Sequence, residues 1–456
     1  MKPTTILLSL LALATPQLAL AQSPAKIKSQ LQQMEKDAKK DPEALFAAAQ
    51  FAAQKGLAND AKRLYAAILK IAPDHEGANA GLGNEQVDGK WLPAKEAAAA
   101  RKKAMAAEYS AKGFVEVDGV WVDKAEVDDA KRGIFRHDGE LVTKEEKLAL
   151  MAGKVRHPET GELIDARNLE KAQNRYFPIG NDGRWVDENE ANKFHADLAK
   201  PWVVRSSFCT LLTTLEIGKV EAVKREADRG YEAILEVFGG VHPKPTHRPV
   251  VILALTDDEF RQLGQAFSDG TDASGAFLMG EEGRIRVPGL GEVRGGITHY
   301  PKDLGPYYLR HAVALAFAHG VAGEHGVELP SWFQQGLGSF TRYFMNDSDA
   351  GWFAKPLAGK GGARNLKGFF AGFAISGDME STDISATLYQ AGLMIAYARR
   401  GGDEQAKALL QDVIDVATGK KKGGIDKPIK ALEAHLIASE AAIGTYLNQL
   451  LAKAPK

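Results

Sequence analysis

The chain has 456 residues, with 58 Lys and Arg against 59 Asp and Glu and a formal net charge of -1. That balance carries no electrostatic footprint of a nucleic-acid partner or of attachment to an anionic membrane surface. Hydrophobic residues make up 45%, enough for packed cores in roughly two or three domains, and the single cysteine excludes both an internal disulfide and a cysteine-ligated zinc site. That cysteine, Cys209, has Phe208, Leu211 and Leu212 for neighbours and reads as a small buried residue rather than a nucleophile.

Residues 1–21 read as a signal peptide. Lys2 supplies the positive start, residues 6–14 are apolar apart from Ser9, and Ala19-Leu20-Ala21 offers small residues before Gln22. The apolar run is far shorter than the ~20 residues a spanning helix needs, so no membrane span is expected. The expected location of the mature chain is periplasmic or secreted.

Residues 22–82 carry a helical period. Asp41-Pro42-Glu43 opens one helix and Gly56 closes it, and a second runs from Ala58 to Ile71 before Pro73-Asp74. The run around Leu64-Tyr65-Ala66-Ala67-Ile68 resembles a tetratricopeptide-type hairpin. A single hairpin of that kind is either a partner-binding module or a packing element.

Residues 83–200 repeat a pattern. Asp88-Gly89-Lys90-Trp91, Asp118-Gly119-Val120-Trp121 and Asp182-Gly183-Arg184-Trp185 are its strong copies, with weaker ones at Asp138-Gly139 and Thr160-Gly161. Asp-Gly suits a tight hairpin turn, and a charged helical segment follows each, so strand–turn–strand–helix units are expected. The tryptophans fit either the core of each unit or a groove for carbohydrate or peptide, and the core reading is preferred.

Residues 201–456 read as α+β: a small sheet, then a mainly helical lobe. The expected elements are a long helix from 216 to 238, a buried strand at 249–255 and a helix opened by Asp257-Asp258-Glu259. A hairpin turning at Gly280-Glu281-Glu282-Gly283 follows, then helices over 309–321, 332–345, 389–399, 404–416 and 429–451.

The order of these elements, with Leu329-Pro330-Ser331-Trp332-Phe333-Gln334-Gln335-Gly336-Leu337, resembles the peptidase MA-like domain of the gluzincin zinc metallopeptidases. The resemblance implies an H-E-x-x-H helix, whose two histidines ligate zinc and whose Glu is the general base, and a Glu as third ligand. On this chain those positions fall at His311, Ala312, Leu315 and Gln335. Alanine accepts no proton, leucine donates no lone pair, and a neutral amide is a poor ligand for a divalent cation. One ligand of three remains, so no catalytic residue and no cofactor are expected, and His311 reads as a core histidine.

A rebuilt metal site would have to draw on His311, His319, Glu324 and His325, and His299-Tyr300 would border the cleft. The favoured reading is an exported, non-catalytic pseudopeptidase that binds or scaffolds a protein or peptide of the cell envelope. Its alternatives are an active zinc metallopeptidase with nonstandard ligands and an envelope carbohydrate- or peptide-binding protein acting through the Trp units.

Overall fold

A computed structural model describes residues 23–180, 183–241, 248–267, 277–287, 291–363, 365–375 and 379–455, with side chains from 264 to 294 left aside. The expected signal peptide and Asp182 lie outside the described residues. The fold is α+β, and its contacts gather into two compact units, Met1–Phe114 and Val115–Lys456. The cut falls inside the 83–200 region, after its first hairpin and helix. Among the described residues no helix is long and apolar enough to cross a membrane.

In the first unit, helices Pro24–Ala38, Pro42–Gln54, Ala58–Ile71 and Glu76–Leu82 pack in sequence order. The Asp41 side chain accepts from the Glu43 amide, and Pro42 takes the first turn, where no intrahelical donor is needed. Ala48, Ala49, Ala52, Leu64 and Ile68 form the seam, and all are buried. The hairpin Asn84–Val87/Lys90–Pro93 and the helix Ala94–Ala111 complete the unit.

The second unit begins with four more antiparallel hairpins, each followed by a short helix. Among the described residues, three hairpin turns use Asp at φ 48–49° followed by a glycine at φ 77–84°, at Asp88-Gly89, Asp118-Gly119 and Asp138-Gly139. Two successive positive φ values match the twist of the flanking strands, which is why Asp-Gly stands there.

The tryptophan is core in only one of these units, at Trp121, while the residue at the following position is buried in four of them. Side chains alternate along a strand, so one of two neighbours faces inward. Val122, Val142, Ile164 and Val186 are the buried ones. Trp121 is covered on the other face, whereas Trp91 and Trp185 stay half-buried. Val142→Ala should therefore cost about 2 kcal/mol in urea denaturation, from lost burial plus cavity. Leu141→Ala, at a half-buried position, should cost less.

A five-stranded sheet follows in the order Trp202–Arg205, Thr210–Thr213, Val250–Ala254, Gly291–His299, Phe277–Val287. The outer pairs are antiparallel and the two central pairings parallel. Residues 280–283 do not turn the chain as expected. Phe277–Val287 is one long strand with a register shift between Met279 and Arg284, and it pairs along its length with Gly291–His299. Glycine in a strand marks a bulge as readily as a turn, and here the ladder continues past it.

Helix Gly305–Gly323 lies between the sheet and two helices, Ile217–Val237 and Ser331–Tyr343, which explains why nearly every face of it is apolar. Helix Ser331–Tyr343 packs in turn on Ser381–Arg400. The expected closing helix is two helices, Asp426–Ala438 and Glu440–Leu451, broken at Ser439. Serine competes for backbone hydrogen bonds and is favoured at such a break.

Candidate functional site

His311 sits mid-helix, 2% exposed. The neighbouring helix presents Gln335, and His311 Nε2 lies 3.0 Å from Gln335 Oε1. With Nε2 donating, Nδ1 is left as an acceptor without a partner. Burial and the nearby Arg342 charge push the imidazole pKa down to about 3, against the opposing pull of Gln335, so the ring is neutral. Gly338 makes room for it: a Cβ there would come within 2.6 Å of the ring.

Ala312 and Leu315 are 0% and 5% exposed, and Ala312 belongs to the main hydrophobic core. Neither offers a donor atom. The two positions that still carry polar side chains are hydrogen-bonded to each other rather than open toward a common point. A catalytic zinc takes three protein ligands and one open position. The donor set around His311 does not fit zinc, and no step through a metal is derived.

The other candidates are scattered. Half-buried His319 lines a cavity of about 180 Å³ with Glu328, Gln334 and apolar residues at the helix end. Glu324 is half-buried one turn on, and exposed His325 lies against Gly419, where a Cβ would meet its ring at 2.4 Å. Among the described residues no three His, Cys, Asp or Glu side chains gather as a metal-holding group. His299 Nε2 is 3.1 Å from Asp257 Oδ1, and its ring stacks on Tyr308 at 6.2 Å.

The arginines beside His311 carry no mark in the motif. Arg310 pairs with Glu226 at 2.8 Å and lies over the Tyr307 ring at 4.7 Å. Arg342, 6% exposed, is held between the rings of Tyr308 and Tyr343 at 4.2 and 4.8 Å. Its place was legible in one way only: Gln335, Gly338 and Arg342 recur at helical spacing on one stripe.

Two further clusters are structural. His435 Nε2 is 2.8 Å from Asp403 Oδ2 and 3.5 Å from Ser439 Oγ. Both contacts use the same ring nitrogen, so no proton relay from serine to carboxylate runs through the imidazole. Asp403 caps helix Glu404–Ala417 by accepting from the Ala406 amide. Cys209 is fully buried against Ser206, and burial pushes its thiol up to about 12, which keeps it protonated and inert.

Compared with known proteins, the chain matches no family model, no curated protein and no solved structure.

Proposed function

We propose that the chain is an exported, non-catalytic relative of the gluzincin zinc metallopeptidases, with the former cleft serving to bind or scaffold a protein or peptide of the cell envelope. The observation that supports this reading most is the direct His311–Gln335 hydrogen bond, flanked by core-packed Ala312 and Leu315. General-base catalysis needs a group that takes a proton near neutral pH, and the neutral His311 ring has no water-activating partner beside it. The helices themselves are held by apolar packing, so the fold does not depend on a metal.

A metal bound only by the folded state would raise the melting temperature. Melting of the purified protein should therefore be unchanged by a strong chelator and by added zinc. A fall of several degrees on chelation would contradict the proposal.

A further inference from the structure

Arg342 is a buried cation without a counter-ion. Among the described residues its side chain makes no ion pair and no hydrogen bond, and the clamp of Tyr308 and Tyr343 is its whole set of polar contacts. A buried charge is costly unless something pairs with it. The neighbouring charges are spoken for, since Arg310 has Glu226 and Asp257 has His299. His311 next to it is neutral, and its Nδ1 is sealed without a partner, as is Ser339 Oγ. Among the described residues the local charge is therefore one positive charge.

The guanidinium is sealed at Nε only. Its two terminal nitrogens are not among the fully buried atoms and carry no partner among the described residues, so each keeps some solvent exposure. Half-buried Tyr308 stacks in turn on half-buried His299 at 6.2 Å. A planar fork with two free N–H groups matches the two oxygens of a carboxylate, and one positive charge balances one negative charge.

We propose that Arg342 anchors a binding site for a single carboxylate group, set between Tyr308 and Tyr343 beside the former metal position. The inference rests on the binding role proposed above and names the chemistry of its ligand. The carboxylate is supplied either by a peptide C-terminus or by a small free acid.

The test titrates the full mature chain with three probes by calorimetry: acetate, Ala-Ala-Ala with a free C-terminus, and the same peptide amidated. We expect the free-acid peptide to bind, the amidated peptide to bind at least about ten-fold more weakly, and acetate to compete. Acetate binding without peptide binding would support the site with a small acid as its ligand. Arg342→Lys, which keeps the charge and loses the fork, should weaken binding about ten-fold, and Arg342→Met should abolish it. Equal affinity for acid and amide, undiminished binding in Arg342→Lys, or no binding of any probe would overturn the proposal. Retained zinc would instead sink the non-catalytic reading, whichever way the carboxylate titration falls.

Discussion

Glu146→Ala should lower the stability of the second unit by about 3–5 kcal/mol, the scale expected when one partner of a buried ion network is removed. Glu146 is 17% exposed and faces Arg156, Arg205 and Arg248 at 3.4, 3.0 and 3.4 Å. These arginines come from a hairpin strand, the first sheet strand and the segment before Val250, so one carboxylate ties the hairpin units to the sheet. The Leu141 carbonyl accepts from both Arg205 and Arg248, and Glu146 also closes the capping box with Thr143. Removing it leaves Arg248, 9% exposed, with only carbonyl partners.

The same network sets a pH dependence. Burial pushes the Glu146 carboxyl up, but Arg248, the Thr143 amide, Arg205 and Arg156 outweigh it and hold it below the usual carboxylate range. A carboxyl whose folded pKa is depressed contributes stability above its unfolded value of about 4.3 and loses it as pH falls through the folded value. Urea denaturation should therefore show wild-type stability falling below about pH 4.3, with a shallower fall in Glu146→Ala. A loss under about 1 kcal/mol at neutral pH would mean that the network is solvated and weak.

Ala312→Glu should be among the most damaging single changes beside His311, costing about 2–6 kcal/mol. The site is 0% exposed inside the main core. Four added heavy atoms overpack it by about 1–3 kcal/mol, and an unpaired carboxyl adds about 1–3 kcal/mol even before ionisation. A general base cannot be introduced at Ala312 alone: the space it would occupy is filled by packed side chains. Chemical denaturation of the variant checks this. A cost under about 1 kcal/mol would reveal open space there and reopen the catalytic reading.

Much of the fold was legible because it follows local rules. The Asp41-Pro42 start, the Asp-Gly turns and the helical periods around Leu64 and Leu309 each depend on residues within one or two turns, and the elements stand where those residues put them. The failures share a cause as well. Gly280 and Gly283 permit a turn or a bulge, and the choice belongs to the long pairing with Gly291–His299. The tryptophans drew attention by size, but strand alternation gives the core to Val122 and Val142.

At the candidate site, comparison with the motif located His311 and Gln335, which the structure joins at 3.0 Å. It gave no hint of Arg342, because the clamp that holds it is made where helices Gly305–Gly323 and Ser331–Tyr343 pack together. Nor did it separate His311 from His319, Glu324 and His325, which only the folded geometry disperses.

The central claim is that the His311–Gln335 position holds no metal. It is tested most directly by the metal content of the purified mature protein, by mass spectrometry after dialysis against zinc and then buffer, beside His311→Ala. The account predicts no stoichiometric zinc in either protein. Stoichiometric zinc in the wild type that disappears in His311→Ala would contradict it.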